Sequence, residues 1–381
     1  MMLASAAPGA LASQTWLVGP ERKLKTPSAA AQVAAHGDTV EIDAATYVND
    51  YAVWHQDNLT LRGAGGMARL HSNGLIPNGK GIWIINGNNT VIENLAFSGA
   101  AVQATNGAGI RHQGGNLTLR NTYFHHNEFS VLTGPNPKAN IAVFDSRFWH
   151  QQRPARFSHG IYIGTVGSFT ISGSHFQGTD QGHQIKSRAL ENRILYNRIE
   201  DGDSGNSSRL IDLPNCGFSI IMGNDMHQGS YTSNTDAIGY GAELCPGRDE
   251  RQRTLYVINN TLINEAPAAT LARNHHGSHV IVLNNLIYGS GQFLAGKGSL
   301  KGNLRLPLQT LRAGPENTMR SWQPGPGSAA IDAAAAPPAD DQALVPSREF
   351  LTPTGTTPRR RAGPLDIGAR EYAGEGARGE D

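Results

Sequence analysis

The residues best equipped for chemistry lie in the stretch Gly182-His183-Gln184-Ile185-Lys186-Ser187-Arg188-Ala189, where a histidine, a lysine and an arginine surround one apolar position. Related stretches flank it: Ser158-His159-Gly160-Ile161-Tyr162-Ile163-Gly164 upstream, then Ser208-Arg209-Leu210-Ile211-Asp212-Leu213-Pro214 and Thr235-Asp236-Ala237-Ile238-Gly239-Tyr240-Gly241 downstream. In extended chain, side chains alternate between faces. If Ile84, Ile110, Val131, Ile161, Ile185, Ile211 and Ile238 point inward, the outward ladder reads Arg111, Leu132, Tyr162, Lys186, Asp212, Gly239. His159, His183, Arg209 and Asp236 stand at the strand entrances. Dense cations on one face suit an acidic polymer, such as a uronic-acid polysaccharide. Gly160 and Gly164 would let it approach the backbone.

Cleaving such a polymer by β-elimination requires a neutralised carboxylate, a base for the C5 proton and an acid for the leaving oxygen. Lys186 is the candidate base, with Arg188 and Arg209 as like-charged neighbours that favour its neutral form. Arg188 and Arg209 are candidates to grip the carboxylate, because a guanidinium fork matches its geometry. Tyr162 or His183 would supply the acid, and His159, Arg111, Asp212 and Tyr240 would contact substrate. The same residues admit other readings. Lys186 and Arg188 could form a structural ion pair with Asp212 across turns. His183 shares the parity of Ile185, so it could be buried. Proton abstraction at C5 also serves a uronate epimerase. A glycoside hydrolase would need two carboxylates, for which Asp212 and Asp236 are the only ladder pair. A non-catalytic envelope protein could hold glycan on the same face.

What must position these residues is a repeat. An alternating strand, a polar pair and a large apolar residue recur as Val91-Ile92-Glu93-Asn94-Leu95-Ala96-Phe97, Thr118-Leu119-Arg120-Asn121-Thr122-Tyr123-Phe124, Ala142-Val143-Phe144-Asp145-Ser146-Arg147-Phe148 and Thr170-Ile171-Ser172-Gly173-Ser174-His175-Phe176. Later versions close on Ile199, Met226, Leu262 and Ile287. Such a period marks stacked architectures, and these repeats have no room for a helix and no leucine ladder. The expectation is an all-β fold, a single-stranded right-handed parallel β-helix. Asn and Ser at the corners would hydrogen-bond up the stack, and Phe97, Phe124, Phe148 and Phe176 would stack inside. Pro27 to Ala35 reads as a short capping helix. The chain divides into a signal-peptide remnant (1–13), an N-terminal cap (14–57), the β-helix (58–300), an extended segment packed back on it (301–372) and a disordered tail (373–381).

From this periodicity and the Ala-rich cap, residues 27 to 300 resemble the right-handed parallel β-helix superfamily of polysaccharide-active proteins. Lys186-Ser187, followed one turn on by Arg209, resembles the chondroitinase B and alginate lyase family. That resemblance implies Lys186 as base and Arg209 as acid around a calcium ion. Where the family places calcium-binding carboxylates, this chain has Thr179, Asp180, Gln181 and Gly182. Asp180 is the one candidate there, with Asp212, Asp236 and Glu243 on later turns, so Ca2+ is possible but its ligand set is not evident.

Bulk composition agrees with this class. Gly is 45 of 381 residues and charged residues are 17%, against a usual ~7% and ~25%. A net charge of +1 provides no global field for nucleic acid, and no long apolar run spans a membrane. The small, apolar start ending Ala10-Leu11-Ala12 points to export, to the periplasm or beyond. A monomer is expected. His125, His126, His150, His275 and His276 read as loop residues, and Arg359-Arg360-Arg361 as a solvated run. Cys216 and Cys245 fall near one corner of adjacent turns, close enough for a disulfide, with stacked free thiols as the alternative.

Overall fold

The computed structural model describes residues 13–149, 158–202, 205–311, 322–337 and 342–372. Nearly all of residues 1–13, the tail 373–381 and His150 lie outside them. Within the described residues the chain winds through three parallel sheets of twelve, eleven and ten strands, visiting each once per coil. The fold is a single-stranded right-handed parallel β-helix. The sheets begin at Thr15–Val18, ahead of residue 58, because the first coils lack the Asn-bearing phrase that makes the later ones visible.

A short helix, Pro27–Ala31, closes the first coils. Thr26 caps it, its hydroxyl accepting the Ala29 N–H at 3.3 Å, and Pro27 fixes the first turn. It ends earlier than the alanine run suggests. Asp38 takes the Ala35 N–H at 2.8 Å, and the Gln56 amide binds the carbonyls of Ala31 and Ala34.

The polar pairs at the corners have a division of labour. The first member turns the backbone through positive φ, as Asn94 (57°), Asn121 (46°), Asp145 (52°) and Asn284 (56°) do, a conformation Asn and Asp tolerate. The second turns inward. Asn197, Asn224, Asn260, Asn285 and Asn303 form a ladder in which each Nδ2 donates to the next Oδ1 at 2.9–3.0 Å. In earlier coils Thr122, Ser146 and Ser174 take this place. Next to it run Phe97, Phe124, Phe148 and Phe176, in register, with ring centroids 5.3, 5.4 and 4.2 Å apart.

The C-terminal segment covers the eleven- and twelve-stranded sheets. Phe350 lies beneath the Arg198 guanidinium, 4.9 Å from its ring, and Arg370 binds Asp225 through both carboxylate oxygens. Leu344 joins an apolar cluster with Tyr196, Ile220, Met222, Ile258 and Leu283. Arg359 is not solvated as its sequence suggests. It is buried, with Nε donating to Glu371 at 2.6 Å and its other nitrogens to the Gly368 and Asp366 carbonyls. These contacts fall away from the ladder on the ten-stranded sheet.

Candidate functional site: an ionic ladder on the ten-stranded sheet

Four consecutive strands carry the ladder: His159–Ile163, Ile185–Ser187, Ile211–Leu213 and Asp236–Tyr240. Their register sets Tyr162 beside Lys186, Lys186 beside Asp212 and Asp212 beside Gly239. Upstream, Arg111 pairs with Leu132 and Leu132 with Tyr162; downstream, Gly239 pairs with Arg273. Ile161, Ile185, Ile211 and Ile238 are buried in the core, which leaves the alternate positions to face out. One expected core position shifts. Ile110 stacks on Trp83, whereas Ile84 aligns with Arg111 on the outer face.

Asp212 is the hub. Its carboxylate is 3% exposed and meets Arg209 Nη1 at 3.0 Å, Lys186 Nζ at 3.2 Å and His183 Nε2 at 3.4 Å. Asp236 repeats the arrangement one coil on, bound by Arg273 Nε at 2.7 Å and facing Arg209 Nη2 at 3.7 Å. Carboxylates held this far from water require such partners. Lys186, 13% exposed, also lies 3.8 Å from Glu243. It therefore has carboxylates on two sides, not only the like-charged neighbours expected of a base.

Arg188 is arranged differently. Its Nε donates to the Tyr162 hydroxyl at 2.8 Å, and its two terminal nitrogens clasp Glu243 at 2.5 and 2.9 Å. Asn215 Oδ1 accepts from the same guanidinium. The Glu243 bond, ahead of the others, raises the Arg188 pKa further above its ordinary value, and the Arg188 bond lowers that of Glu243. Because Tyr162 accepts from Arg188, its own proton is free to be donated elsewhere.

The two histidines stack, rings 5.0 Å apart and nearly parallel. Nδ1 of His159 accepts the backbone N–H of His183 at 2.9 Å, and Nδ1 of His183 accepts that of Arg209 at 3.1 Å. With Nδ1 committed as acceptor, each ring is neutral with its proton on Nε2. Burial, reinforced by Lys186 and Arg209, pushes the His183 pKa down to about 3. His159 is also pushed well below the usual range, first by burial and then by His183.

Several expectations change. Tyr240 does not face substrate: it is fully buried, and its hydroxyl donates to the Gly217 carbonyl at 2.8 Å. Its partner in the preceding strand is Leu213, an inward residue. Asp212 and His159 are buried too, and act on their neighbours instead of lying open to a polymer. His183, spent on Asp212 and the backbone, is poorly placed as the acid. Arg209 is held between two aspartates, so of these two arginines it is Arg188 whose fork is directed at an exposed carboxylate. Gly160 and Gly164 serve the coil. A Cβ at Gly160 would lie 2.3 Å from the Gln184 carbonyl, and one at Gly164 would lie 2.9 Å from that of Thr133. Arg111 does face outward, and its Nε has no hydrogen-bond partner among the described residues.

Arg273 and Asn215 were not placed in the site by sequence, and Glu243 was named only as a possible calcium ligand. Arg273 is the next ladder member, reached by carrying the register one coil past Gly239. Asn215 and Glu243 sit on loops, and Cys216 and Cys245 join those loops in a disulfide, with Cα atoms 5.4 Å apart. Arg248 braces the same pair, donating to the Asn215 carbonyl at 3.1 Å and the Arg188 carbonyl at 2.9 Å. The bridge, once inferred, is the signal that would have brought Glu243 over the ladder.

For a metal, the described residues contain no group of three His, Cys, Asp or Glu side chains placed to hold an ion. Asp212, Asp236 and Glu243 are each bound to arginine, and both cysteines are in the disulfide. The described residues do not fit calcium.

Coil, corner ladder and outward ionic face together define a protein of the right-handed parallel β-helix superfamily. The family model described as periplasmic copper-binding protein (NosD) matches residues 34–237, over half of the chain. The chain belongs to that family. No curated protein matches it by sequence. Among solved structures, pectate lyase Pel9A superposes with a TM-score of 0.65 at 13% identity, covering 95% of this chain and 97% of its own. The GH136 lacto-N-biosidase from Eubacterium ramulus gives 0.52 at 12% identity, covering 77% and 68%. At these identities the likeness is one of fold. No described helix is long and apolar enough to cross a membrane.

Proposed function

We propose that this chain binds an acidic, uronate-containing polysaccharide along the ten-stranded sheet. The observation that carries this reading is the Arg188 fork, closed on a carboxylate at the open face and backed by Tyr162 and Asn215. A planar guanidinium with two parallel donors selects carboxylates by shape as well as charge. Arg111, three coils away, offers a second cation on the same face. Fold neighbours named as a pectate lyase and a lacto-N-biosidase show that this scaffold carries proteins of glycan chemistry. The family description supports a working location in the periplasm.

Within this reading the reaction is β-elimination. Arg188 neutralises the uronate, Lys186 takes the C5 proton and Tyr162, whose proton is free, gives one to the leaving oxygen. Asp212 is paired with Arg209 and Asp236 with Arg273, which argues against hydrolysis, since that needs one carboxyl protonated and one free. One observation favours a second reading, glycan binding without cleavage: Lys186 is engaged by Asp212 at 3.2 Å. Incubation with pectate, alginate and glucuronan separates the two, since elimination creates a conjugated C4–C5 double bond visible in the ultraviolet. Absorbance that grows with wild type and not with Lys186→Ala supports the lyase. Retention of the polymers without new absorbance supports binding alone. Copper is not part of the proposal, because the described residues offer it no ligand set.

A further inference from the structure

The carboxylate clasped by Arg188 belongs to the protein itself. Glu243 lies on the loop between strands Asp236–Tyr240 and Thr254–Ile258, and reaches back two coils to Arg188 and Lys186. That loop is fixed in several places. Cys245 is bonded to Cys216, the Glu243 N–H donates to the Pro214 carbonyl at 2.8 Å, and Arg248 holds the Asn215 and Arg188 carbonyls. The Glu243 side chain, by contrast, is 49% exposed. The backbone is therefore held, while the carboxylate is in reach of water. An ion pair at such a surface is weak and exchangeable.

The partners gathered around this carboxylate are those a bound uronate would require: a bidentate arginine, a lysine at the flank, and a tyrosine ring beneath the Arg188 guanidinium at 5.7 Å. We propose that Glu243 is a built-in occupant of the substrate-carboxylate position, displaced by rotation of its side chain when a uronate enters. The inference rests on the acidic-polysaccharide reading and adds to it a residue that sets selectivity. Only a ligand whose carboxylate competes with Glu243 gains the Arg188 fork, so neutral glycans and weakly placed acids are excluded. The loop does not move; the exchange is one carboxylate for another, and the charge around Arg188 and Lys186 stays balanced throughout.

The test is titration calorimetry of the full chain with a uronate tetrasaccharide and with its carboxyl-reduced, neutral counterpart. Wild type, Glu243→Gln, Glu243→Asp and Arg188→Ala are compared, and unchanged melting of the variants shows that each is folded. Removing the internal competitor is expected to tighten uronate binding by about three- to fivefold in Glu243→Gln. Affinity for the neutral sugar should not move, and Glu243→Asp should fall between. Equal or weaker uronate binding by Glu243→Gln, with wild-type binding intact and lost in Arg188→Ala, overturns the inference and leaves the binding reading standing. If neither wild type nor Glu243→Gln binds the uronate, both fall together.

Discussion

Lys186 Nζ lies 3.2 Å from Oδ2 of Asp212, one coil further along the same outward ladder. Arg209 and His183 meet the same carboxylate, so one buried anion organises most of the site. Removing it would take the nearer carboxylate from two little-exposed cations, leaving Lys186 with Glu243 at 3.8 Å and Arg209 with Asp236 at 3.7 Å. Asp212→Ala is expected to lower unfolding free energy by about 3–5 kcal/mol, measured by denaturant titration. A loss under about 1 kcal/mol would show that the cluster is loosely solvated.

The stacked histidines make stability depend on pH. Their folded pKa values lie below the ordinary 6.5, at about 3 for His183. Between these values the unfolded chain binds more protons than the folded one, so stability is full above pH 6.5 and is lost as pH falls towards about 3. Each such histidine gives a slope of roughly 1 kcal/mol per pH unit in that window. Denaturant midpoints across the window should fall for wild type, and more gently for His183→Gln. Parallel slopes for the two would refute the assignment.

The corner ladder should be costly to interrupt at its centre. Asn224 is buried, donates to Asn260 and to the Ile194 carbonyl, and accepts from Asn197. Asn224→Ala leaves several buried groups unpaired, and about 2–3 kcal/mol of stability should go with them. Asn140, in the exposed outer row that it shares with Asn116 and Ser168, should tolerate alanine at under about 0.5 kcal/mol. Thermal or urea unfolding of both variants checks the contrast.

The Cys216–Cys245 bridge closes a sequence separation of 29 residues. Its loss in Cys216→Ser/Cys245→Ser should cost about 2–4 kcal/mol. Wild type in a strong reductant should show the same loss in a denaturant titration. The double variant should be insensitive to reductant.

The fold was legible because the repeat writes its own register. Asn121 and Thr122, or Asn284 and Asn285, announce a corner twice per phrase, once by backbone conformation and once by an inward amide. Phe97 to Phe176 mark the core beside it. The outward ladder from Arg111 to Gly239 followed from that register alone. What alternation could not show was depth. It placed Asp212 outward, yet neighbouring side chains cover it, and it did not separate Tyr240, an inward residue, from the face it adjoins. Nor could local sequence foresee a partner from two coils away. Glu243 reaches Arg188 only because a loop and a disulfide carry it there, and the glycines at 160 and 164 answer to carbonyls of neighbouring coils that no single strand reveals.

The central claim is that the ten-stranded face selects polymers by their carboxylates through Arg188. It is tested most directly by comparing the affinity of the intact chain for a uronate oligosaccharide and for the same oligosaccharide with its carboxyl groups reduced. A charge-assisted bidentate contact predicts a preference for the acid of about tenfold or more, lost in Arg188→Ala. Equal affinity for the two sugars, or a preference that survives Arg188→Ala, would contradict it.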